Sequence, residues 1–130
     1  VSAESKGGIA MIVNLTQHVA TEDQRAAGVF EPSGKEEVQR LLTFETLPSP
    51  EEVRRRAAAL AQIAEESGAT EAMIGGAPFL MAPLEEMLMG RGITPLYAFS
   101  RRETTEEMLP DGNVRKTCVF RHAGFVPAVE

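Results

Sequence analysis

The sequence predicts an α/β domain: a short, Rossmann-like parallel sheet flanked by helices, with an antiparallel β-hairpin at its C-terminal end. Three observations lead there. Short apolar runs without polar alternation recur at residues 11–15, 72–74 and 95–99, the pattern of strands buried on both faces. Capped segments with helical spacing lie between them. Beyond residue 100 the pattern turns to alternating runs on either side of Asp111 and Gly112, a strong hairpin-turn signal.

Composition sets the limits. A chain of 130 residues, 43% hydrophobic and 25% charged, suits one domain with one core. Aromatics make up only 5% and Trp is absent, so that core must rest on Leu, Ile, Val, Ala and Met. Residues 1–10 hold Ser, Lys and Gly but no apolar centre of a signal peptide, and Met11 opens the first strand. They read as a tail or a remnant of expression, with a single domain over residues 11–130. Cys118 is the only cysteine, which forbids an intrachain disulfide; together with the absence of an export signature it points to the cytoplasm. No apolar run approaches the roughly 20 residues of a membrane-spanning helix, so no membrane partner is expected.

A net charge of −6 argues against coating duplex nucleic acid. The charge is uneven: residues 1–99 hold 8 basic and 14 acidic groups, residues 100–130 five of each. Arg101, Arg102, Arg115, Lys116 and Arg121 therefore form the one basic-rich region not outnumbered by acids, where a small anion can be held.

In chain order, Met11, Ile12, Val13, Asn14 and Leu15 form the first strand, and Thr16, Gln17 and His18 the polar loop after it. Thr21 and Gln24 have the spacing of a capping box, and Gly28 ends that short helix. Ser33, Gly34, Lys35 and Glu36 are a weaker capping signature before Val38, and residues 41–44 read as the second strand. Ser49 caps the clearest helix. Pro50 suits its first position, Glu52 follows three residues after the cap, and Val53, Ala57, Leu60, Ala61 and Ala64 recur at helical spacing until Gly68. Arg54, Arg55 and Arg56 face several sides of it and are expected to be solvated. Ala72, Met73 and Ile74 form a buried strand running into Gly75, Gly76, Ala77 and Pro78. A helix through Leu80, Leu84, Met87 and Leu88 stops near Gly90 or Gly92. The strand at residues 95–99 closes with Ser100, Arg101 and Arg102. Strands alternating with helices imply right-handed crossovers and parallel pairing. The hairpin pairs residues 103–108 with 114–120, and Val114, Lys116, Cys118 and Phe120 share a face.

In an open α/β sheet, ligands bind beyond the carboxyl ends of the strands. Three such ends can be placed here. The first offers Asn14, Thr16, Gln17 and His18; the second Gly75, Gly76 and Ala77 at a helix start; the third Ser100, Arg101 and Arg102. His18 is either a loop histidine bonded to backbone or a general acid/base. The glycine pair is either a plain strand-to-helix turn or a phosphate cradle. It matches neither a Walker loop nor a GxGxxG fingerprint, so no cofactor is expected. Arg101 and Arg102 are either solvated charges on opposite faces or anion contacts. Two histidines and one cysteine, widely separated, lack metal-ligand spacing. Arg121, His122 and Gly124 resemble a histidine-phosphatase signature only superficially, since that signature follows the first strand of a much longer chain.

One resemblance is more extensive. Asn14, Leu15, Thr16, Gln17 and His18, then Thr21 and Gln24, are similar to the opening of small stand-alone CRISPR-associated proteins with a CARF-like Rossmann fold. Residues 97–101, an acidic stretch, Asp111 and Gly112, and Lys116 through Phe120, Arg121, His122 and Phe125 resemble their C-terminal hairpin. Residues 74–79 depart from the pattern. The resemblance spans residues 11 to about 126 and implies a ring nuclease, which binds and cleaves cyclic oligoadenylate messengers and so switches off type III CRISPR signalling. It implies a homodimer with the ring across its two-fold axis, and metal-independent cleavage in which a ribose 2′-hydroxyl attacks the adjacent phosphate. His18 would then be the acid/base, with Arg101 or Arg102 and the Gly75 and Gly76 amides holding phosphate, and Asn14, Thr16 and Gln17 touching ribose or base. Two other classes stay open: a nucleotide sensor without turnover, and a small dimeric interaction protein without a ligand.

Overall fold

The computed structural model describes residues 10–128. Apart from Ala10, the expected tail lies outside the described residues. The elements are β1 (Ile12–Leu15), α1 (Glu22–Ala26), β2 (Val29–Phe30), α2 (Lys35–Leu42), α3 (Pro50–Glu66), β3 (Glu71–Ile74), α4 (Pro78–Met89), β4 (Thr94–Met108) and β5 (Val114–Pro127). They build one five-stranded sheet in the order β2-β1-β3-β4-β5. The first four of these pair in parallel, and β5 runs antiparallel to β4. This is the mixed α/β architecture that the sequence predicts.

The continuous apolar runs form central strands because both faces are covered. All four residues of β1 are buried, as are Ala72, Met73 and Ile74 of β3. Val13, Leu15, Ala72 and Ile74 face α2, α3 and α4, where they meet Val38, Leu60, Leu80 and Leu84. Each fully buried leucine contributes about 1.5–3 kcal/mol, so this face carries most of the stability. On the other face Ile12, Met73 and Leu96 pack with Ala20, Val29 and Phe125. Here α1 contributes no buried residue. Loop and β5 residues do the covering, and that side is left shallow.

The capping signals at Thr21 and Ser49 act as the sequence implies, but Ser33 does not cap α2, whose N-cap is Gly34 with no side-chain bond. The Thr21 hydroxyl accepts from the Gln24 amide at 3.1 Å, and the Gln24 side chain accepts from the Thr21 amide at 3.0 Å. Ser49 Oγ accepts from the Glu52 amide at 3.1 Å, and Pro50 begins α3. The Glu52 carboxylate does not close a capping box. It binds Arg56 one turn on, at 2.7 Å.

Three expectations are corrected. Residues 41–44 are not a strand: Leu41 and Leu42 end α2, because Val38, Leu41 and Leu42 sit at the i, i+3, i+4 spacing of a helix face. The second strand is the two-residue β2, too short for any periodic signal. Arg56 is not solvated. Its guanidinium lies over the Phe44 ring at 4.3 Å and donates to the Thr43 carbonyl at 2.6 Å, just past the C-terminal end of α2. Finally, the strand at residues 95–99 does not close at Ser100. No Gly or Pro interrupts residues 96–108, and β4 runs through to Met108.

β4 pairs with β3 only as far as Leu96. Beyond it, β4 and β5 continue as a two-stranded ribbon to Met108 and Val114, closed by the turn through Asp111 and Gly112. The register slips between Phe99 and Ser100: Phe99 opposes Gly124, Ser100 opposes His122, and Ala123 bulges out of β5.

Candidate functional site

Strand order decides where a crevice can form. From β1 the chain leaves toward β2 on one side of the sheet; from β3 it leaves toward β4 on the other. The loops after the neighbouring strands β1 and β3 therefore diverge, and an open sheet binds ligands at such a switch point. A hollow of about 460 Å³ lies there. Its walls are Thr16, Gln17, His18 and Val19 after β1, and Gly75 and Gly76 after β3. Met73 and Ala98 form part of its floor, and Thr21 and Gln24 at the start of α1 close one side.

The loop after β1 is fixed from behind. Asn14 is fully buried, and every bond its amide makes goes to structure. Its Oδ1 accepts from the Thr16 amide at 2.9 Å and the Thr16 hydroxyl at 2.7 Å. Its Nδ2 donates to the His18 carbonyl at 2.7 Å and to Glu31 at 3.1 Å. Lys35 Nζ donates to the Thr16 carbonyl at 2.7 Å and to the His18 carbonyl at 3.1 Å, and it pairs with Glu31 at 3.2 Å. Glu31 also accepts the Ala20 amide at 2.8 Å. Burial works to raise the Glu31 carboxyl, but the Ala20 amide, Asn14 and Lys35 together hold it below its ordinary 4.5. The result is a loop whose backbone is clamped while the His18 side chain stays exposed on the wall of the hollow. Pinning the main chain behind a free side chain is the arrangement a preorganised site requires.

The opposite wall is backbone. Glycine has no side chain, so Gly75 and Gly76 present main-chain groups to the hollow. Gly76 has φ of +151°, which disfavours any L side chain, and a Cβ there would meet Leu42 and Met81 at 3.5 Å. Gly75 lies against Thr16, whose Cγ2 would be 3.6 Å from an added Cβ. Tyr97 completes this side. Its hydroxyl donates to Glu85 at 2.6 Å, and burial together with that carboxylate pushes the phenol well above its ordinary range. It therefore stays neutral.

The structure thus brings Thr16, Gln17, His18, Gly75 and Gly76 around one hollow, although they are distant in the chain. Gln17 is partly committed, since its Nε2 donates to Thr43 Oγ1 at 2.9 Å. Asn14 does not reach the hollow; it holds the loop that does. Ala77 caps α4 and stands just outside the lining. Ser100, Arg101 and Arg102 also stand outside it, because β4 does not end at residue 99 but carries them outward along the ribbon. Among the described residues no Lys or Arg lines the hollow, so an anion held there meets the His18 ring, hydroxyl and amide side chains and main-chain groups. Among the described residues no three His, Cys, Asp or Glu side chains come together as metal ligands. The sequence reading missed Glu31, Lys35 and Tyr97. A Glu–Lys pair four residues apart was legible for the first two, but its target, the carbonyls of a distant loop, was not.

A family model matches residues 10–126, which take in the whole hollow and the ribbon. The chain belongs to the Uncharacterized protein MJ1673 family. The clamped loop, the glycine turn and the β4–β5 ribbon all fall within the MJ1673-family stretch. No curated protein and no solved structure matches the chain. No helix among the described residues is long and apolar enough to cross a membrane.

Proposed function

We propose that the chain binds a cyclic oligoadenylate, or a similar small nucleotide, at the switch-point hollow and cleaves it without a metal. The observation that carries this reading is the pairing of an exposed imidazole, His18, on a rigid loop with a wall of main-chain groups at Gly75 and Gly76. The amides suit phosphate oxygens. The imidazole suits proton transfer to or from a ribose hydroxyl. In the proposed step the 2′-oxygen forms a bond to phosphorus as the bond from phosphorus to the 5′-oxygen breaks. His18 takes the 2′-hydroxyl proton and the leaving oxygen takes one from solvent. The products carry 2′,3′-cyclic phosphate and 5′-hydroxyl ends. Orientation supplies much of the rate in such an intramolecular attack. A hollow of about 460 Å³ suits one nucleotide rather than a ring of several, so a ring would span two copies of the chain in a homodimer. The biological consequence would be removal of the messenger and an end to type III CRISPR signalling.

One observation favours a second reading, a sensor without turnover: among the described residues no Lys or Arg lines the hollow to meet charge developing on phosphate. Incubation with cyclic tri-, tetra- and hexa-adenylate in EDTA, followed by chromatography, separates the readings. Cleavage should yield linear products, and His18→Ala should slow it about a hundredfold or more at saturating substrate. Intact rings accompanied by a raised melting temperature would mean sensing alone. Intact rings with no thermal shift would reject both readings.

A further inference from the structure

Strand alternation determines which ribbon residues share the hollow's side. Ala98 lines the hollow and opposes Phe125, which packs on the same sheet face as Met73. Side chains two apart on a strand share a face, and so do directly opposed residues of an antiparallel pair. Ser100 and Arg102 therefore continue the hollow's face outward from Ala98, while Arg101 points away from it, opposite Arg121. The bulge at Ala123 has a specific effect. Without it, His122, three residues from Phe125, would fall on the far face. With it, His122 opposes Ser100 and its ring meets that of Phe125 at 4.6 Å. The next rung out pairs Arg102 with Phe120, a residue 72% exposed.

The available chemistry is distinctive. Arg115, Lys116 and Arg121 each have a carboxylate partner in Glu107, Glu106 and Glu103. Among the described residues neither Arg101 nor Arg102 has one; of these two only Arg102 lies on the hollow's face, where its Nε donates to Cys118 Sγ at 2.9 Å. Nδ1 of His122 is buried and has no partner among the described residues. Nε2 is therefore the ring nitrogen left for a ligand.

We infer that the ligand site extends along this face of the ribbon as a second nucleotide subsite, in which Arg102 and His122 bind a phosphate and the Phe120 ring stacks a base. The subsite rests on the proposed reading of the hollow and takes the next nucleotide of the same ligand. Consecutive same-face residues lie about 6.5–7 Å apart along a strand, roughly one nucleotide step. Adjacent arginines on opposite faces supply a matched control. Calorimetric titrations of the wild type, Arg102→Ala, Arg101→Ala and His122→Phe should use adenosine monophosphate and, separately, cyclic tri-, tetra- and hexa-adenylate. The His122→Phe change keeps the ring contact with Phe125 but removes the N–H. The expected result is a loss of ring affinity of about tenfold or more in Arg102→Ala and His122→Phe, little loss in Arg101→Ala, and unchanged monophosphate binding throughout. Equal losses in the two arginine variants would reduce the effect to net charge and overturn the subsite. Wild-type ring affinity in Arg102→Ala would do the same while leaving the hollow's reading intact. A wild type that binds neither probe would remove that reading and the subsite together.

Discussion

Asn14 shows how one buried amide can organise a site it does not touch. Both ends of its side chain are spent on the loop at residues 16–18 and on Glu31. Truncation to alanine leaves the Thr16 amide without its acceptor, and the His18 carbonyl and Glu31 each one donor short. Asn14→Ala should therefore lower the free energy of unfolding by about 2 kcal/mol, read from chemical denaturation. It should also reduce ligand affinity, because the His18 carbonyl loses the shortest of its three anchors. Glu31 adds a dependence on pH. Its carboxyl is held below its ordinary 4.5 in the folded chain, so the folded state releases that proton more readily than the unfolded state does. The stability it contributes is fully present above 4.5 and is lost as pH falls through the lower, folded value. Melting temperatures measured from pH 6 downward should fall in acid, and Glu31→Gln should flatten that fall.

At the scale of elements, the turn from β3 into α4 is constrained by its backbone conformation. Gly76 adopts its φ of +151° with ordinary clearance around it, so the penalty of a side chain there is conformational rather than steric. Gly76→Ala should cost about 1–3 kcal/mol, seen as a lower denaturant midpoint with an unchanged slope. Elements of this kind differ in how far the sequence discloses them. The long helix α3 was legible because cap, first-position proline and apolar stripe all agree on Ser49 to Gly68. The hairpin was legible from Asp111 and Gly112. The β2 strand was not, since Val29 and Phe30 gain their role by pairing with Ile12 and Val13, a tertiary event. The end of β4 was misplaced because a polar triplet, Ser100 to Arg102, resembles a strand end, whereas β5 extends the pairing past it. That difference moved both arginines away from the rim, and pleat parity then separated them.

Taken whole, the molecule divides its labour between two sheet faces. One is thick with leucine and alanine from α2, α3 and α4. The other is thinly covered and carries the hollow and the ribbon rungs that continue it. The helices of the thick face could be read in advance from apolar periodicity, and the rim residues His18, Gly75 and Gly76 from the strand-end rule, but the strands, read as buried on both faces, gave no sign that one face is thinly covered. The clamp of Glu31 and Lys35 could not be read, because Glu31 accepts a main-chain amide and Lys35 donates to main-chain carbonyls, groups that leave no trace in side-chain chemistry. The adjacency of β1 and β3 has a kinetic corollary. A hairpin such as β4–β5 closes locally, in about 1–10 μs, whereas β1 finds β3 only after α1, β2, α2 and α3 have been gathered between them. Loop-closure entropy must be met before that contact rewards it. The cleft between the two strands is thus among the last features to arise on refolding, and capacity to capture a small molecule should lag behind the recovery of β-sheet circular dichroism.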